Sequence, residues 1–174
     1  MIYENIEILL SAEKIAARVK ELAAQITRDY AGEGIVLLGT LKGAAIFLSD
    51  IAREIDLPIE IEFLKASSYG DKSESSGEVR FEYLPEIDFR GKNIILVEDI
   101  VDMGYTANRL REFLLQKNAA SVKLCALLDK PERRKVSVEI EYLGFSIPDE
   151  FVVGYGLDYA QRYRNLPFVG ILKL

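Results

Sequence analysis

Three acids within five residues, followed at once by a glycine and a threonine, make Val97-Glu98-Asp99-Ile100-Val101-Asp102-Met103-Gly104-Tyr105-Thr106 the segment best equipped for chemistry. The run before it, Ile94-Ile95-Leu96-Val97, reads as a buried parallel strand. The stretch after it, Ala107 to Asn118, carries Leu110, Phe113 and Leu114 at helical spacing. The acids therefore fall where a strand hands over to a helix, and in open α/β sheets that carboxyl-end crevice is where ligands bind. Gly104 lets backbone amides approach an anion, and Thr106 is the candidate N-cap, offering its hydroxyl to the same group. A phosphate at the helix start, with a diol-binding acidic pair beside it, describes a ribose 5-phosphate. The plainer alternative is a strand end with solvated acids and an ordinary cap. The segment is not a Walker A loop, because it lacks the G-x-x-x-x-G-K-[ST] spacing and its lysine.

Composition narrows the chemistry. The chain has no histidine, which excludes Ser-His or Cys-His catalysis and His-ligated zinc, so a general base must be a carboxylate or a lysine. Its single cysteine, Cys125, cannot form an internal disulfide and lies in the apolar run Val122 to Leu128, which fits a buried thiol in a reducing cytoplasm. A net charge of −6 argues against a nucleic-acid partner, which would require a basic face. The apolar runs are far shorter than a membrane span, and Glu4 and Glu7 stand where a signal peptide would be basic. With 174 residues, 49% of them hydrophobic, the chain is long enough for one domain with its own core.

The elements that must position the acids follow from periodicity. Ser11 to Tyr30 predicts an amphipathic helix, with Ser11 as N-cap and Ile15, Val19, Leu22, Ile26 and Tyr30 on one stripe. Gly34 to Thr40 predicts a buried strand, then a Lys42-Gly43 turn and a second helix to about Ile55. Ile59 to Ala66 and Val79 to Leu84 read as strands around Ser67 to Gly77, a polar stretch long enough to be functional. Strand 94–101, helix 107–118 and strand 121–128 make a βαβ unit whose strands must be parallel. From Glu139 onwards the chain is aromatic and less periodic, with Phe145, Phe151, Tyr155, Tyr159, Tyr163 and Phe168. This order suggests a parallel-sheet core with a small covering lobe.

Four segments in sequence order match one family. They are Gly39-Thr40-Leu41-Lys42-Gly43-Ala44, then Ser67-Ser68-Tyr69-Gly70, then the acidic string, and last Asp129-Lys130-Pro131 with Val152-Val153-Gly154-Tyr155-Gly156-Leu157-Asp158-Tyr159. The last continues through Tyr163-Arg164-Asn165-Leu166-Pro167. From about Leu37 to the C-terminus, the chain resembles the bacterial hypoxanthine-guanine phosphoribosyltransferases. That resemblance implies a type I phosphoribosyltransferase-like α/β fold: a twisted, mainly parallel sheet flanked by helices, with a small hood formed by N- and C-terminal segments. It implies a single domain over 1–174, with a lid at about 67–79 and a hood and base-binding segment at about 130–174. The expected reaction is purine salvage, moving the 5-phosphoribosyl group of phosphoribosyl diphosphate (PRPP) to N9 of hypoxanthine or guanine.

Roles carried over by the resemblance are specific to residues. Leu41, Lys42 and Gly43 resemble the pyrophosphate loop, with a non-proline cis peptide before the lysine. Lys42 and Arg164 would neutralise the departing pyrophosphate, Arg164 with its planar fork. Glu98 and Asp99 resemble the pair that accepts the ribose hydroxyls and reaches Mg2+ through water, and Asp158 resembles a further metal ligand whose neighbouring backbone would receive the 2-amino group of guanine. Asp102 matches the acid-base residue at purine N7. Met103, Gly104, Tyr105 and Thr106 would cradle the 5-phosphate. Ser67, Ser68 and Tyr69 resemble a mobile lid that excludes water from a cationic ribosyl centre. Phe151 resembles the aromatic that stacks on the purine, and Val152 the residue whose backbone meets the base edge. Lys130 is a donor-only ammonium that favours a 6-oxo group and opposes adenine.

Met103 departs from the pattern, since a Ser or Thr is usual there and one hydroxyl donor to the phosphate is lost. Tyr105 falls at a variable position. A homodimer or homotetramer is expected by resemblance alone. The alternatives are a xanthine-preferring transferase and a non-catalytic regulator on the same fold, the latter opposed by the acidic charge.

Overall fold

Near-continuous apolar runs build the centre of the sheet. The computed structural model describes residues 5–68 and 79–173. Its elements are β1 (Ile6–Leu10), α1 (Ala12–Asp29), β2 (Ile35–Thr40), α2 (Ala45–Glu54), β3 (Ile59–Ser68), β4 (Val79–Tyr83) and β5 (Asn93–Val101). There follow α3 (Tyr105–Gln116), β6 (Ser121–Asp129), a 3-10 turn (Pro131–Arg133), β7 (Tyr142–Ser146), β8 (Val152–Val153) and β9 (Val169–Leu172). The main sheet runs β4-β3-β2-β5-β6-β7. All its pairings are parallel except β3 with β4. Strands buried on both faces need no alternation, which is why β2, β5 and β6 read as apolar runs.

Side chains one residue apart along those strands feed different layers. Leu37, Ile95, Val97, Cys125 and Leu127 pack with α1 and α2 on one face. Val36, Leu38, Ile94, Leu96, Leu124 and Ala126 pack with Ala107, Leu110 and Leu114 of α3 on the other. Helices thus cover both faces, and the βαβ crossover from β5 through α3 to β6 is as the periodicity predicts. Ser11 caps α1, accepting from the Lys14 amide at 3.3 Å. Cys125 is fully buried, and burial raises its thiol pKa.

A second, antiparallel sheet of order β1-β9-β8 forms the hood. Leu10, Val152, Tyr155, Leu157 and Val169 join the same core as α1 and α2, so the hood sits on that face. β1 has no signature of its own: its strand character comes from pairing with β9, with Ile6 opposite Leu172. The region after Glu139 is likewise more ordered than its composition suggests, because β6 and β9 supply partners for β7 and β8.

Three expectations are corrected. β3 continues through Ser67 and Ser68, whose backbones pair with Arg80 and Val79, so the polar stretch begins later than Ser67. α3 begins at Tyr105, two residues earlier than the apolar spacing suggests. Its N-cap is Gly104, not Thr106, which lies inside the first turn. Tyr69 and the remainder of the expected lid to residue 78 lie outside the described residues.

Candidate active site

The carboxyl ends of β2 and β5 lie side by side, with Gly39 opposite Val97, and each hands its chemistry to the turn that follows. After β2 the Leu41–Lys42 peptide bond is cis. Gly43 then lies so close to the acids that an added Cβ would stand 1.6 Å from Asp99 Oδ2. From the tail, Gly156 comes in with φ +103°, and a Cβ there would meet the Gly43 carbonyl oxygen at 2.0 Å. Turn, acid and tail therefore touch through two positions that have no room for a side chain.

Glu98 and Asp99 are held differently. Thr40 Oγ1 donates to Glu98 Oε2 at 2.5 Å, while Glu98 Oε1 is buried without a partner. Burial and the neighbouring Asp99 charge push Glu98 up to about 8, against the hydrogen bond from Thr40. Asp99 Oδ1 accepts from the Ile100 amide at 2.9 Å. Burial raises Asp99 as well; the Ile100 amide and Arg164 oppose the rise, and Asp158 adds to it. Two adjacent buried carboxylates with an orphan oxygen form a donor set that a divalent cation would relieve. Among the described residues no group of three or more His, Cys, Asp or Glu is arranged to hold a metal by itself.

One cation, Arg164, reaches the same place from the tail, and another, Lys42, from the turn after β2. Arg164 Nη2 pairs with Asp158 Oδ1 at 2.7 Å, and Nη1 donates to the Gly156 carbonyl at 2.7 Å. Asp158 Oδ2 accepts from the Gln161 amide at 2.8 Å, and Lys42 Nζ lies 3.3 Å from Gln161 Oε1. Lys42, Arg164 and Asp158 are thus brought together through Gln161, which the sequence reading did not single out. Positive φ at Ala160, Gln161 and Tyr163 bends this segment, an unusual cluster for residues with side chains.

The acidic string ends in a loop braced from behind. Gly104 has φ +91°, and a Cβ there would be 2.5 Å from the Val136 carbonyl oxygen. Its glycine is therefore required by handedness and by packing against Val136. The Met103 carbonyl accepts from Lys135 and Val136, and Arg134 Nε donates to the Asp102 carbonyl at 3.1 Å while its Nη2 pairs with Asp129. The Gly104 carbonyl accepts from Asn108, leaving the amides of the first turn, at Tyr105 and Thr106, without intrahelical acceptors and suited to an anion. Met103 is 40% exposed and adds no hydroxyl.

Lys130 follows β6, and Phe151 immediately precedes β8. Lys130 is buried, with its amide bonded to the Val101 carbonyl at 3.0 Å. Phe151 is 46% exposed and meets Tyr159 edge-on at 5.7 Å, which pairs two aromatics of the C-terminal segment. Val152 is buried in β8, an edge strand. Because the Phe151 carbonyl accepts from Leu172, the antiparallel alternation points Val152 N–H and C=O off the open edge, away from β9. A planar ligand stacked on Phe151 could meet them there.

Comparison with known proteins agrees with this architecture. The family described as "Phosphoribosyl transferase domain" matches residues 5–160. The chain is 47% identical over 173 residues to the hypoxanthine phosphoribosyltransferase of Haemophilus influenzae, covering 98% of this chain and 97% of that protein. It is 44% identical over 174 residues to the hypoxanthine-guanine phosphoribosyltransferase of Bacillus subtilis, covering 99% and 97%. A crystal structure of a hypoxanthine phosphoribosyltransferase from Staphylococcus aureus superposes with a TM-score of 0.96 at 44% identity, covering 99% of this chain and 94% of that one.

Proposed function

Because the chain belongs to the phosphoribosyltransferase family, we infer that it is a purine-salvage enzyme. It transfers the 5-phosphoribosyl group from PRPP to N9 of hypoxanthine or guanine, giving IMP or GMP and pyrophosphate. The observation that carries this reading is the close approach of Gly43 to Asp99 on one side and to Gly156 on the other, which draws three separate motifs to one turn.

In this reading the first turn of α3, from Gly104 to Thr106, receives the 5-phosphate on backbone amides. Glu98 and Asp99 hold the ribose hydroxyls and, with Asp158, would hold Mg2+. When bound, Mg2+ supplies positive charge to the diphosphate as it leaves. Lys42 and Arg164 take up the rest of that charge, with the Leu41–Gly43 turn offering backbone to it. Phe151 stacks on the purine, Val152 offers its free N–H and C=O to the base edge, and Lys130 donates to the 6-oxo group. Asp102 exchanges a proton with N7 as the bond at N9 forms, and the site orients base against ribose. Ser67, Ser68 and Tyr69 are assigned to a lid that keeps water out.

One hydrophobic core shared by both sheets supports a single domain over the whole chain. Among the described residues no helix is long and apolar enough to cross a membrane. With its one cysteine buried, the protein is assigned to the cytoplasm, as a homodimer or homotetramer to be read by light scattering. The functional test is a purine panel with PRPP and Mg2+, following pyrophosphate release. Hypoxanthine and guanine should turn over and adenine should not. Equal turnover of adenine would remove the role given to Lys130.

A further inference from the structure

Four side chains of alternating charge form a chain from Asp102 through Arg133 and Asp149 to Lys130. Arg133 Nε lies 3.0 Å from Asp102 Oδ1, out of line for a hydrogen bond but within pairing distance. Arg133 Nη1 lies 3.6 Å from Asp149 Oδ1, and the same oxygen lies 3.6 Å from Lys130 Nζ. Asp149 is the only charged partner of Lys130 among the described residues. The backbones beneath are already fixed. Lys130 N bonds to Val101 O, Arg133 N to Lys130 O, and Ile147 N to Asp129 O. What the side chains can still choose is where they aim.

That choice matters because N7 and O6 are neighbours on one edge of a 6-oxopurine. A carboxylate for N7 and an ammonium for O6 must stand close together without joining each other. Opposite charges placed so near, one of them on a buried stem, would otherwise pair directly and fill the space the base needs. We propose that Arg133 and Asp149 are positioning residues that hold Asp102 and Lys130 apart, each by giving it another partner, so that both face the same purine edge. The proposal rests on the functional reading above, which places these two residues at the base.

The test is steady-state kinetics with hypoxanthine and PRPP on the Asp149→Asn and Arg133→Gln variants, with the PRPP dissociation constant measured by calorimetry. Both positions are substantially exposed, so folding should survive; thermal melts check this. Asp149→Asn should raise KM for hypoxanthine about tenfold with a smaller change in kcat, and Arg133→Gln should lower kcat about tenfold. PRPP affinity should stay within about twofold in both, since its contacts are elsewhere. Asp149→Glu and Arg133→Lys should recover most of each loss. Wild-type KM and kcat in both variants would overturn the proposal, as would a loss of PRPP affinity that parallels the loss of rate. If the wild-type protein itself turns over no 6-oxopurine, the functional reading fails, and the proposal fails with it.

Discussion

Between Asn93 and Gln116 the chain carries its acids on regular elements, with β5 delivering Glu98 and Asp99 and α3 starting just past Gly104. Between Phe151 and Arg164 it carries its groups on almost none. There β8 is two residues long, and Gly154, Tyr155, Gly156, Ala160, Gln161 and Tyr163 all have positive φ. The first wall is held by a sheet and a helix whatever its polar side chains are. The second has its shape set by close backbone approaches and by the partners its side chains find, such as Tyr155 Oη donating to Asp50 of α2 at 2.5 Å. Substitutions in the first wall should therefore change chemistry and spare the fold, whereas those in the second should change both.

The largest effect expected is at Asp102. Asp102→Asn keeps the shape but cannot take the proton, so kcat should fall roughly 10²–10⁴-fold with PRPP affinity and melting temperature nearly intact. Rapid turnover with lost PRPP binding would instead make Asp102 a ligand-holding residue. Next comes Gly156→Ala, which puts a Cβ against the Gly43 carbonyl at a left-handed position. It should cost about 2–4 kcal/mol of stability, read by denaturant titration, and lower kcat/KM as well. A variant that melts like wild type would break the contrast between the walls.

Met103→Thr tests the first wall in the opposite direction. A hydroxyl well placed on a phosphate is worth about 1.5 kcal/mol or more, so KM for PRPP should drop about tenfold or more while purine preference holds. A flat KM would mean that the backbone amides of α3 already suffice. Ser11→Ala, far from either wall, should remove the α1 cap at a cost of about 1 kcal/mol and lower the melting temperature by about 2–4 °C, with kinetics unchanged. Altered kinetics there would show that α1 is coupled to the hood.

What the sequence made legible follows the same division. The strands β2, β5 and β6 and the helix α1 announce themselves because burial is periodic or continuous along the chain, and Ser11 caps where its type and position suggest. The start of α3 differs from its sequence signal because Thr106 offers a capping side chain, whereas Gly104 takes the position by φ +91° and the nearness of Val136. β1 has no strand signal because it is short and its partner β9 lies at the other end of the sequence, and β9 is only four residues long. The cis peptide before Lys42 and the meeting of Lys42 with Arg164 came from the motif resemblance, since nothing local encodes them. Gln161, Arg133 and Asp149 were passed over because an exposed polar residue on a turn has no pattern that separates a placed side chain from a solvated one.

The pairing of Ile6 with Leu172 also sets an order of events during translation. β1 leaves the ribosome early yet has no partner until β9 is made, and the entire six-stranded sheet is synthesised between them. β9 then threads between β1 and β8, completing the platform beside Phe151 and Val152 last. A nascent chain would therefore have the strand and helix that carry Glu98, Asp99 and Gly104 before the hood that backs Phe151 and Val152 finds its pairing.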